Sequence, residues 1–79
     1  MNPADLINQL LAIGTKEQAL LAPRGSEVRG RVQSIGAALD EAGGKELMLR
    51  AHGVIRQKLG PVLARQLEAA WDGVGDWLG

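Results

Sequence analysis

The chain has no cysteine, no phenylalanine, no tyrosine and a single histidine, and its charges cancel. Each absence removes a class of explanation. Without cysteine there is no disulfide and no thiolate metal site. With one histidine a structural zinc site lacks the four nitrogen or sulfur ligands it needs. Nine Lys and Arg stand against nine Asp and Glu, so no net positive field draws the chain to nucleic acid or to an anionic membrane. No apolar run approaches the roughly 20 residues of a membrane span. The first apolar stretch, Leu6 to Ile13, is interrupted by Asn8 and Gln9 and lacks a basic flank, so it does not read as a secretion signal. The expected location is the cytoplasm.

What is present is aliphatic. The apolar fraction of 46% is that of an ordinary globular chain rather than a disordered one. At 79 residues the chain is one domain whose core is thin. Folding buries only about 60% of the surface exposed in a chain this short. A core of that size supplies roughly 3–5 kcal/mol without a staple, and with metals and disulfides excluded the remaining staple is self-association.

Helix punctuation is dense. Asn2-Pro3 reads as an N-cap followed by proline at the first helical position, and Leu6, Ile7, Leu10, Leu11 and Ile13 follow with helical spacing. Gly14 is expected to end that helix. Thr15 to Gln18 has the form of a capping box and predicts a short helix over Lys16–Leu21, stopped by Pro23. After the Arg24-Gly25-Ser26 linker, Ser26 is the expected N-cap of a helix with Val28, Val32, Ile35, Leu39 and Ala42 on a narrow seam. Gly30 and Gly36 weaken it by about 1 kcal/mol each relative to alanine. For Gly36, beside the seam, close approach of a neighbour supplies a reason. Gly30, on the opposite face, has none in the sequence.

Gly43-Gly44 breaks the chain, and a helix from about Lys45 to Lys58 carries Leu47, Met48, Ala51, Val54 and Ile55 on one face. Gly60-Pro61 is a glycine stop and a proline start. The last helix places Leu63, Leu67, Ala70, Trp71 and Val74 on one side, and Gly73 and Gly75 end it. No stretch alternates with period two over strand length. The expected architecture is all-α, one domain, a small bundle of three main helices plus one short helix.

Chemistry is sparse. His52, Ser26, Ser34 and Thr15 are the candidate catalytic groups, and no spacing assembles them into a nucleophile with its base. His52 stands at the edge of a polar face with Arg56 one turn on, the position of an ordinary boundary histidine. No glycine-rich segment follows a strand and precedes a lysine, so there is no phosphate loop. No catalytic, metal or cofactor-binding residue is assigned, and the chain reads as non-enzymatic.

Segment 28–58 has the outline of a helix-turn-helix, and Arg24 to Arg65 carries eight basic residues against four acidic ones. On a helical wheel, however, Arg50 points away from Lys45 and Arg56, whereas a recognition helix gathers its donors on one side. Glu68, Asp72 and Asp76 form a stripe at i, i+4, i+8, a solvated acidic face or a contact for the basic middle segment. Trp71 and Trp77 serve either as core anchors or as interface hot spots, tryptophan being enriched at both.

The closing segment, Ala70-Trp71-Asp72-Gly73-Val74-Gly75-Asp76-Trp77, resembles that of short uncharacterised bacterial proteins; the resemblance covers about the last quarter of the chain and implies no activity. From the residues themselves the expected function is a non-enzymatic helical interaction module. It is expected to be homo-oligomeric, with Leu63, Leu67, Trp71 and Trp77 as its interface and the seam Val28 to Leu39 as the rival one, an unidentified protein partner and no membrane or cofactor. The alternative is a small DNA-binding or regulatory protein using segment 28–58. Capped apolar periodicity without any strand pattern predicts a far-UV circular dichroism spectrum that is more than half helical. A spectrum dominated by sheet would overturn the whole reading.

Overall fold

Three helices follow one another in the computed structural model, which describes residues 2–23, 25–75 and 77: α1 (Pro3–Glu17), α2 (Glu27–Leu59) and α3 (Pro61–Ala70). Among the described residues there is no strand. The caps are largely those the sequence specifies. Asn2 accepts from the Ala4 amide at 2.9 Å, and Ser26 Oγ accepts from the Arg29 amide at 3.1 Å. Pro61 opens α3 directly after Gly60, whose φ of 101° belongs to glycine.

Two boundaries differ from expectation. Helix α1 does not stop at Gly14 but continues through Thr15 and Lys16 to Glu17, ending on Gln18 in the left-handed region at φ 54°. The short helix over Lys16–Leu21 therefore does not form. Gly14 acts as a packing site rather than a stop: it is buried, and a Cβ there would lie 2.5 Å from Leu59 Cδ1. The segment after it is held by a tertiary contact that local pattern does not encode, the Leu20 amide donating to Gln66 Oε1 at 2.9 Å. Arg24, in the expected linker, lies outside the described residues.

The second difference is at Gly43-Gly44. Helical residues run up to the glycine pair from both sides with no linker between, so α2 spans 33 residues, yet both glycines have non-helical backbone angles and kink it. Straight, 33 residues would span about 50 Å at 1.5 Å per residue. The molecule measures 26 × 26 × 25 Å. Helix α2 therefore folds back on itself at the glycine pair, as the break expected there requires, and becomes two arms, residues 27–42 and 45–59.

The chain is thus two helical hairpins pressed together. In the first, α1 runs antiparallel to the first arm of α2, with Leu6 beside Ala38 and Ala42 and Ile13 beside Val28. In the second, the other arm runs antiparallel to α3, with His52 beside Glu68 and Arg56 beside Ala64. Their apolar faces meet in one core: Leu10, Val32 and Leu39 from the first, Met48, Ile55 and Leu67 from the second, all fully buried. Among the described residues no charged or polar side chain is buried.

The glycines within α2 separate cleanly. A Cβ on Gly36 would lie 2.5 Å from Trp71 Nε1 and 2.7 Å from its Cε2, inside a rigid ring that cannot step aside. Gly30 and Gly53 are exposed and would meet nothing within 4 Å. Gly36→Ala should destabilise by about 1–3 kcal/mol through overpacking, whereas Gly30→Ala and Gly53→Ala should each stabilise by about 0.5–1 kcal/mol. Thermal melts of the three variants check this, and a neutral Gly36→Ala would contradict the packing described.

Candidate interaction surfaces

Of the four residues expected to form an interface, three lie inside the chain and one at the edge of the core. Leu67 and Trp71 have no exposure, Trp77 is 4% exposed, and Leu63 is half-buried against the core. Trp71 sits at the junction of the hairpins. Its Nε1 donates to the Val32 carbonyl at 2.8 Å, in the slot that Gly36 leaves open. Trp77 folds back over it: the rings meet edge to face at 5.3 Å and 84°, and Trp77 Nε1 donates to the Trp71 carbonyl at 3.4 Å. Of the two roles open to the tryptophans, this placement is that of core anchors. In this fold Leu67, Trp71 and Trp77 have no face left to offer a partner, and only Leu63 keeps part of its surface exposed. The reason is the early end of α3: it stops at Ala70, and Gly73 and Gly75, at φ 84° and 64°, turn the chain back.

His52 is a boundary residue with more partners than its sequence position suggests. Its Nε2 lies 3.1 Å from Glu68 Oε2, and its ring is 5.5 Å from that of Trp77. The pair closes one side of a cleft of about 190 Å³ whose other walls include Arg56, Pro61 and Arg65. Neither arginine makes an ion pair with a described residue. Ser26 is occupied as a cap, while Thr15 and Ser34 are exposed on the other hairpin, so no hydroxyl is brought to the imidazole. Among the described residues no three groups are placed to hold a metal ion. Within the expected acidic stripe, Glu68 is taken by His52, Asp72 is exposed beside Arg29 and Gln33, and Asp76 lies outside the described residues.

The surface feature that sequence reasoning missed lies along α1 and the first arm of α2. Three hollows follow one another there, of about 160, 430 and 240 Å³. The first two share Gln9 and Arg31, and the third continues past Leu6 to Ala38 and Ala42. On α2 their edge is a ridge of small side chains one turn apart, Gly30, Ser34, Ala38 and Ala42, spanning about 18 Å of helix. The signal was available as small residues at i, i+4, i+8 and i+12, but of these only Ala42 belongs to the apolar seam, and hydropathy periodicity does not mark the other three. Large apolar side chains also reach solvent elsewhere, Val62 at 70%, Leu49 at 45% and Leu21 at 41%.

Comparison with protein-family models, with curated proteins and with solved structures finds no match to this chain. No described helix is long and apolar enough to cross a membrane.

Two substitutions test this core. Trp71→Phe removes the indole donor and part of the ring, and should cost about 1–3 kcal/mol, or roughly 4–8 °C of melting temperature per kcal/mol in a domain this size. His52→Ala strips a contact from Trp77 and leaves Glu68 unpaired, so about 0.5–1.5 kcal/mol is expected, more than for a bare surface site. A Trp71→Phe variant as stable as the parent would show that the indole hydrogen bond carries nothing.

Proposed function

We propose that this chain is a non-enzymatic helical interaction module that associates with its own kind, located in the cytoplasm, and that its docking face is the α1–α2 furrow rather than α3. One observation carries the reading: the ridge Gly30, Ser34, Ala38, Ala42 beside a row of three hollows. An exposed glycine in mid-helix lowers stability by about 1 kcal/mol relative to alanine, and nothing within the chain comes near enough to Gly30 to require it. Small side chains let a second helix approach closely, toward the short end of the usual 8–10 Å between packed axes. Arg31 and Glu41 flank the ridge near its two ends. A second copy laid antiparallel on the same face brings each toward the other's opposite charge, which suits a twofold interface.

The alternative, a DNA-binding protein using segment 28–58, has weaker support. Arg29 already donates to the Ala22 carbonyl at 3.1 Å, and the folded-back α2 buries Met48, Ala51 and Ile55 of its second arm against the rest of the chain. Lys45, Arg50, Arg56 and Lys58 remain exposed, enough for weak, salt-sensitive contact with phosphate.

Sedimentation of the parent chain from micromolar to millimolar concentration should show reversible self-association. Ser34→Arg, on an exposed site where arginine is the better helix former, should leave helicity and melting temperature unchanged at low concentration and abolish the rapidly reversible association of unheated chains. A parent chain that stays monomeric at millimolar concentration would remove the homo-oligomeric reading. Tight retention of duplex DNA at physiological salt, lost on adding salt, would favour the alternative.

A further inference from the structure

The glycine pair in α2 divides the chain into two halves that share one core and are joined around it by a set of specific contacts. From the first half, residues 2–42, Val32 accepts the Trp71 indole at 2.8 Å, Gln33 donates to the Ala70 carbonyl at 3.3 Å, and Leu20 donates to Gln66 at 2.9 Å. Gly14 lies against Leu59, Gly36 against Trp71, and Asp40 beside Gly75. Every one of these joins one hairpin to the other. Around these, the apolar faces of both hairpins share the core, whereas His52 with Glu68 and Trp77 with both His52 and Trp71 stay within the second hairpin. Only Gly43-Gly44 connects the halves, and the fold-back depends on Gly44 at φ 69°, ψ −159°, a region open essentially to glycine alone. On both sides of the pair the chain is already helical.

We propose that Gly43-Gly44 is a hinge, and that when it becomes helical α2 straightens and two copies exchange halves. In the exchanged dimer the second hairpin of one chain packs on the first hairpin of the other. Trp71 then fills the slot at Gly36 of the partner, donating to the partner's Val32 carbonyl, and each inter-hairpin contact is remade between chains. Straightening swaps two helix-breaking conformations for helical ones, which favours the open form. The closed form keeps both halves in one chain, which favours it at low concentration. A single core too thin to do without a staple gains nothing new at its centre by the exchange, but the straight α2 supplies a continuous helix across the former break. The device goes beyond the docking reading above and does not use the α1–α2 furrow, so Ser34→Arg leaves it intact and the two ideas fail separately.

The test replaces the hinge. Alanine at both positions, Gly43→Ala with Gly44→Ala, disfavours the bend at residue 44 and favours the straight helix in each of two chains. The dissociation constant of the dimer should fall by on the order of 100-fold relative to the parent, read by sedimentation in a Ser34→Arg background. In dimers assembled from isotope-labelled and unlabelled chains, filtered NOEs from the Trp71 indole to Val32 should be intermolecular. The parent chain, heated and refolded at millimolar concentration, should yield the same dimer and return to monomer slowly on dilution. Any of three results from the variant would overturn the proposal: a folded monomer at all concentrations, a chain that stays unfolded up to millimolar concentration, or a dimer whose Trp71 contacts remain within one chain. A parent chain that refolds only to monomer at millimolar concentration counts equally against it.

Discussion

The indole N–H of Trp71, donated to a carbonyl in the middle of another helix, is the contact on which the arrangement of this small fold depends. Val32 already belongs to the ladder of α2, so its oxygen serves a second donor through its other lone pair. An indole reaches that oxygen only where the next turn of helix carries no Cβ, and Gly36 occupies that place. Geometry then propagates outward. Trp71 fixes where α3 lies across the first arm of α2, and Gly14 lets Leu59 settle against α1. Trp77 covers the outer edge of Trp71 and brings His52 and Glu68 with it. With no phenylalanine or tyrosine to share the task, two tryptophans supply all the large rigid volume the core has.

What the sequence made legible was what is local. Asn2, Ser26 and Gly60-Pro61 mark helix ends by rules that need only their neighbours, and each stands where those rules put it. The apolar seam Val28, Val32, Ile35, Leu39 faces the core because helical period alone decides which side is apolar. Gly36 was recognisable as a close approach, though not which residue approaches. The misreadings share one cause. Gly14 and Thr15 look like a stop and a start, but Leu59 and Leu20, distant or beyond the turn, pack on Gly14 and favour continuing the helix. The capping box is a short-range preference of about 1 kcal/mol, small beside the burial of leucine side chains.

The candidate surface was harder to see for a related reason. Periodicity points to residues that are apolar and inward, so Leu63, Leu67, Trp71 and Trp77 stood out as a stripe, of which Leu67, Trp71 and Trp77 are core and Leu63 lies at its edge. A docking ridge of glycine, serine and alanine has almost no hydropathy contrast with a solvated face. Within the ridge Gly30 is the signal, a cost in helix stability that no neighbour explains, a cost that Gly53 on the other hairpin shares. In a core made of aliphatics, the residue that looks misplaced is more informative about the surface than the residues that look strongest.

The pairing of Trp71 with Trp77 also governs what light can report about this molecule. Both chromophores that absorb near 280 nm lie in the second hairpin, 5.3 Å apart and nearly perpendicular, and no tyrosine adds a background. Emission therefore senses one place, the seam where the second hairpin seats on the first. Fraying of α1 from Asn2 inward leaves both indoles in the surroundings they already had, whereas separation of the hairpins wets Trp71 at once. Fluorescence and far-UV ellipticity are thus two separate clocks on this chain, the first timing the mating of its halves and the second the winding of its helices.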